Sequence, residues 1–151
     1  MSSAFEDAVL AWRALLTDEE MFDLVVSHGG NPERGWWDKI RPHSLGWATA
    51  RTQEGTLIGF VNVAWDGSDH AFLIDPKTRG SFQRRGIGTR LVRLPAEQAS
   101  AAGCAWLHVD FEPHLRAFLL RRLWVQTDRR GSDQPAVDLG RLAVPVFSDD
   151  A

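Results

Sequence analysis

The sequence predicts an α/β domain of three layers, with a mixed, mostly antiparallel central sheet flanked by helices. Three observations carry this. Strand-like segments crowd residues 45–74 with connections too short for a crossover, so they pair antiparallel. A long amphipathic stretch at 86–102 then lies between two strand-like segments, which makes those two parallel neighbours joined by a right-handed crossover. The chain has 151 residues, of which 44% are hydrophobic and 25% charged, a size and balance that bury one core. No repeat or linker divides it, so a single domain over 1–151 is expected.

In chain order, Phe5, Val9, Trp12 and Leu16 fall at offsets 0, 4, 7 and 11, one stripe of a first helix. Thr17-Asp18-Glu19-Glu20 reads as a capping box, with Thr17 at N-cap and Glu20 at N3. Met21, Leu24, Val25 and His28 continue a second helix, which Gly29-Gly30 stops. Asn31 to Arg41 reads as a loop carrying the Trp36-Trp37 pair. Three strands follow, at Leu45–Ala50, Leu57–Trp65 and His70–Ile74. Turns at Thr52–Gly55 and at Asp66–Asp69, with its Asp-Gly signal, separate them. Beyond the long helix, Gly103 leads into a strand at Ala105–Asp110. A last helix is expected at Pro113–Leu123, with proline in its first turn. Val125–Thr127 and Ala136–Val144 read as closing strands.

Composition excludes several classes. A single cysteine, Cys104, allows no internal disulfide and fits a reducing, cytoplasmic setting. No apolar run is long enough to span a bilayer, and Met1–Asp7 does not read as a signal peptide. The net charge of −3 argues against a nucleic-acid partner. No metal is expected.

The informative segment is Gln83-Arg84-Arg85-Gly86-Ile87-Gly88-Thr89-Arg90, between a strand and a helix. Its two glycines let the backbone turn tightly and approach a ligand. The amides of the first helical turn then point at one spot, where the helix dipole favours an anion. Arg84, Arg85 and Arg90 add positive charge. This is a pyrophosphate cradle. It lacks the Gly-Lys-Ser/Thr ending of a P-loop and the third glycine of the dinucleotide fingerprint.

This motif, with the element order over about Phe5 to Val144, resembles the GNAT superfamily of N-acetyltransferases. The resemblance implies a GNAT-like fold and acetyl-CoA as co-substrate. Its pyrophosphate would rest on the segment Gln83 to Arg90, and its pantetheine arm on backbone around Lys77 and Thr78. It further implies acetyl transfer to a primary amine by direct attack. A small molecule is the expected acceptor, and a homodimer stays open. The alternative is a non-catalytic acyl-CoA-binding regulatory module with a degenerate active site.

The chain departs from the family pattern in three places. The family's usual acid is a tyrosine on the last helix, before a Gly-Phe pair; the matching positions are Leu119 or Leu120 and Trp124-Val125, and the chain contains no tyrosine. The strand end that often supplies an oxyanion N–H maps near Asp75-Pro76-Lys77, and proline has none. Pro113 and His114 stand where an asparagine often precedes the last helix.

The catalytic candidates are therefore other titratable residues near the cleft. His70 shares a strand face with Phe72, the position that holds a glutamate in some members, and suits a base. His108 and Asp110 share a face of the next strand, with Glu112 at its end; the two carboxylates could hold or deprotonate an amine. Trp36 and Trp37 are candidates for the acceptor wall, where aromatic faces suit an apolar or cationic ligand.

Overall fold

The computed structural model describes residues 8–82, 86–110, 136–138 and 141–145. The strands are β1 (Val9–Trp12), β2 (Ser44–Arg51), β3 (Leu57–Trp65), β4 (His70–Thr78), β5 (Trp106–Asp110), β6 (Ala136–Asp138) and β7 (Arg141–Pro145). They form one sheet in the order β1-β2-β3-β4-β5-β7-β6. Among the described strands only β4 and β5 run parallel, and the helix α3 (Ile87–Ala101) connects them as the expected crossover. Two shorter helices, α1 (Asp18–Ser27) and α2 (Trp36–Ile40), cover part of the opposite face. The architecture is thus the mixed three-layer α/β plan that the pattern implies.

The sequence reading needs three corrections. Val9–Trp12 is a strand, not the first helix. Its backbone pairs with β2 from Val9↔Arg51 to Trp12↔Ala48. The Trp12 ring also lies across Gly46, where a Cβ would collide with it. Asn31–Arg41 is not all loop, because α2 and a 3-10 turn at Arg41–His43 occupy its end. The segment 136–144 is a hairpin of two strands rather than one. The helix expected at 113–123 and the strand at 125–127 lie outside the described residues.

Two cores hold the layers. Under α3, the residues Val61, Val63, Leu73, Ile87, Leu91 and Leu107 belong to one buried cluster. Gly59 permits the close approach, since a Cβ there would come within 2.6 Å of the Leu91 side chain. On the other face, Met21, Leu24, Trp37, Trp47 and Phe60 form the second cluster. Trp37 is its centre, 1% exposed, with Trp47 and Phe60 edge-on at centroid distances of 5.1 Å.

The capping box forms as read. Thr17 Oγ1 accepts from the Glu20 amide at 3.1 Å, and Glu20 Oε2 accepts from the Thr17 amide at 3.0 Å. The Arg51 guanidinium grips the same carboxylate at 2.6 and 3.1 Å. It also donates to the carbonyls of Gly55 and Leu15, tying the start of α1 to the β2–β3 turn.

Candidate functional site

The site begins with an irregularity in β4. Opposite β3 the register runs Asn62↔Ile74 and then Phe60↔Lys77, so Asp75 and Pro76 together face Val61. That is a β-bulge, and Asp75 takes the left-handed conformation there, with φ 56°. Backbone direction follows from two bonds. The His70 carbonyl accepts from the Asp66 amide at 3.1 Å, and the Arg79 amide donates to the Ile58 carbonyl at 2.8 Å. By alternation, His70, Phe72 and Ile74 turn their backbone polar groups to β3, and beyond the bulge so do Lys77 and Arg79. Asp75, Pro76 and Thr78 turn theirs to the opposite side.

On that side the described parallel register covers His70↔Trp106 to Leu73↔Val109, while β4 continues to Thr78. Among the described residues the pairing with β5 thus ends after Leu73, and backbone groups of β4 border this fork. Of the two positions expected to meet the pantetheine arm, Thr78 turns its backbone to that side and Lys77 gives its backbone to β3. Lys77 instead packs its ammonium 5.7 Å from the Trp36 ring and 3.8 Å from the Asp75 carboxylate. His28, at the end of α1, donates from Nδ1 to the Thr78 carbonyl at 3.2 Å. Arg79 bonds Asp23 of α1 at 2.6 Å. Helix α1 thus holds the far half of β4 in place.

The N-terminus of α3 follows within a few residues. Gly86 is its N-cap at φ 83°, with no side-chain cap, and no acidic residue lies in the first turn. The first intrahelical bond is Arg90 amide to Gly86 carbonyl, 3.3 Å. The amides of Gly86, Ile87, Gly88 and Thr89 therefore have no acceptor within the helix. A Cβ at Gly86 or Gly88 would meet none of the described residues within 4 Å. Ile87 contributes only its amide, because its side chain is 1% exposed in the core. Gln83, Arg84 and Arg85 lie outside the described residues. The described part of the cradle fits an anionic phosphate group.

Among the described residues, no helix covers the sheet face turned away from α3 beside the fork. Phe72 and Ile74 are each 38% exposed there. His70 and His108 meet across β4 and β5, with Nδ1 of His70 2.6 Å from Nε2 of His108. The Phe72 ring stacks on His108 at 4.6 Å and 14°. Ser44 Oγ donates to Asn62 Oδ1 at 2.6 Å on the same face, directly opposite Ile74. At the hairpin, the Asp66 carboxylate accepts from the amides of Ser68 and His70 at 2.8 and 3.1 Å. These two bonds hold its pKa below the usual aspartate value.

The fold separates the two candidate tryptophans. Trp37 is a core residue and cannot touch an acceptor, a correction to its expected role, whereas Trp36 is half-buried against Lys77. Asp110 ends β5 opposite Arg141, and its side chain lies outside the described residues, as does Glu112. The contact between His70 and His108 was not legible in the sequence, because nothing in it gives the register of a parallel pair. Cys104 is buried, which pushes its thiol up. Among the described residues no group of three metal-ligating side chains forms, and no helix is long and apolar enough to cross a membrane.

Comparison with known proteins agrees with this geometry. A search of curated proteins finds no match. A GNAT family N-acetyltransferase (YhbS) from Escherichia coli, solved with CoA, superposes with a TM-score of 0.71 at 15% identity, covering 93% of this chain and 82% of that one. An acetyltransferase from Bacillus subtilis in complex with CoA gives 0.66 at 14% identity, over 93% and 99% of the two chains. The ribosomal-protein-S18-alanine N-acetyltransferase of Escherichia coli gives 0.66 at 16%, over 95% and 99%. These similarities show the fold. The model of the acetyltransferase (GNAT) family matches residues 7–126, and the chain belongs to that family.

Proposed function

We propose that this domain binds acetyl-CoA and transfers its acetyl group to a primary amine of a small molecule by direct attack. One observation carries the reading: the start of α3, with no side-chain cap and no acidic residue in its first turn, follows a strand whose described parallel pairing ends at Leu73. Acetyl-CoA supplies an activated thioester whose carbonyl oxygen gains negative charge as an amine adds. The amides of Gly86 to Thr89 hold its pyrophosphate, with Gln83, Arg84, Arg85 and Arg90 beside them, and Thr78 meets the pantetheine arm.

The remaining roles belong to the bulge and the face bearing His70 and His108. Pro76 has no N–H to offer the developing oxyanion. The Ile74 carbonyl points to β3, so the amide that follows it, that of Asp75, points into the fork. Asp75 N–H is the donor in this reading. His70 is the base for the ammonium proton, with Asp110 and Glu112 as carboxylates toward the acceptor. A thiolate leaves readily, so the chemistry does not require a tyrosine.

The test pairs a thiol-release assay, using acetyl-CoA against a panel of primary amines, with calorimetry on CoA. Expected are CoA binding and turnover on at least one amine. CoA binding without turnover on any amine would favour a regulatory acyl-CoA-binding module instead. Gly86→Glu places a carboxylate where it takes the free amides of α3 and repels the pyrophosphate, and is expected to weaken CoA binding about 100-fold. Unchanged affinity would refute the cradle.

A further inference from the structure

We propose that Lys77 is itself an acetyl acceptor, so that the chain acetylates its own side chain from bound acetyl-CoA. The inference rests on the acetyl-transfer reading above and adds to it a second acceptor, one built into the fold. It starts from a count. The chain has two lysines, Lys39 and Lys77, against fifteen arginines, so its side chains offer only two primary amines. The fold sends them to different places. Lys39 lies on α2 with its side chain 68% exposed, paired with Glu33 at 3.4 Å. Lys77 lies on β4 just past the bulge, with its side chain 14% exposed.

The surroundings of Lys77 are those the reading asks of an acceptor amine. Its Nζ stands 3.5 Å from the carbonyl oxygen of Asp75, the residue whose amide is the oxyanion donor in that reading. The Asp75 carboxylate is 3.8 Å away. The Trp36 ring, a candidate for the acceptor wall, lies 5.7 Å from the same nitrogen, within the reach of a cation–π contact. One primary ammonium thus already rests between wall, carboxylate and bulge. An arginine would hold the same charge there, yet its guanidinium never loses a proton in a protein, whereas a lysine amine does and can then attack.

In the step, Lys77 gives one ammonium proton to water, and the neutral Nζ adds to the thioester carbonyl. The C–S bond breaks as the N–C bond forms, and the electron pair leaves on sulfur. A second proton leaves the nitrogen and reaches the thiolate by way of water. CoA departs as the free thiol and Lys77 becomes a neutral amide. The charge on the Trp36 and Asp75 contacts is lost with it.

The experiment incubates the parent with acetyl-CoA and no other amine, and maps acetyl groups on its peptides by mass spectrometry before and after. Expected is acetylation of Lys77 in preference to Lys39 by on the order of tenfold, the reverse of their exposure, because a positioned amine reacts as an intramolecular neighbour. The rate per chain should stay constant over a range of protein concentrations. Gly86→Glu should lower modification of Lys77 in step with CoA affinity, and thiol release without added amine should fall to background in Lys77→Arg.

Acetylation that follows exposure, with Lys39 modified at least as fast as Lys77, overturns the assignment, as does a rate per chain that rises with protein concentration. A parent that binds CoA and acetylates an added amine but leaves Lys77 unmodified overturns this role alone. A parent that binds no CoA, or that modifies neither Lys77 nor any added amine, overturns the acetyl-transfer reading and this role with it.

Discussion

One face of the sheet has two halves with opposite character. At the β2–β3 half, Trp37 drops from α2 between Trp47 and Phe60 and closes the surface. At the β4–β5 half, Phe72 and Ile74 stay 38% exposed beside two histidines in contact. The strands are of similar make, so the difference comes from what lies above them. Helices α1 and α2 reach the first half and, through Arg79, His28 and Lys77, only the far end of β4. Among the described residues, a sealed half thus stands beside a half that keeps apolar side chains exposed.

Truncating one aromatic on each side should give the largest contrast. Trp37→Ala removes a fully buried ring and should cost about 3–5 kcal/mol in urea unfolding. Phe72→Ala should cost less than about 1.5 kcal/mol, because the ring is partly solvated. Equal stability losses in the two variants would erase the distinction between a sealed and an exposed half.

A smaller effect concerns the anchor beneath the sealed half. Arg51 bonds Glu20 and holds its carboxyl below the ordinary value of 4.5. A group whose folded pKa is depressed stabilises above its unfolded pKa and loses that contribution as pH falls through the folded value. Glu20→Gln should therefore be less stable at neutral pH by roughly 1 kcal/mol, discounted for a partly exposed pair. The gap from the parent should narrow as pH falls below about 4.5 and close as it passes the lowered folded value. A gap that does not narrow at all on acidification would assign the loss to packing instead.

The smallest change should be a gain. Thr49, 0% exposed in the sealed half, buries its Oγ1 with no partner. Thr49→Val should raise stability by about 1 kcal/mol in the same unfolding assay. A loss would show that the hydroxyl matters to the β2–β3 pairing.

Local signals were the legible ones. The Thr17–Glu20 capping box, the Asp66–Asp69 turn and the Gly86 start of α3 each depend on a few adjacent residues, and each forms. The Val9–Trp12 stretch deceived because its spacing satisfies a helix. A strand more than thirty residues away gives its backbone better partners, and no local window contains that information. The candidate site divides the same way. The free amides at the start of α3 come from adjacent residues and can be anticipated from the Gly86-Ile87-Gly88 spacing, whereas the meeting of His70 with His108 requires a long-range register. Trp36 and Trp37 looked equivalent as neighbours, and only the orientation of the short helix that carries both decides which one is core.

The bulge at Asp75–Pro76 also acts as a phase shift. Leu73 faces the α3 layer, and strict alternation would send residues 75 and 77 to that same layer. The extra residue delays the alternation by one step, so Lys77 emerges on the opposite face, against Trp36. An uninterrupted strand would drive that ammonium into an apolar core. Two odd residues, one left-handed and one without an amide hydrogen, therefore let a single strand serve two environments in succession, a hydrophobic floor before the fork and a charged margin beyond it.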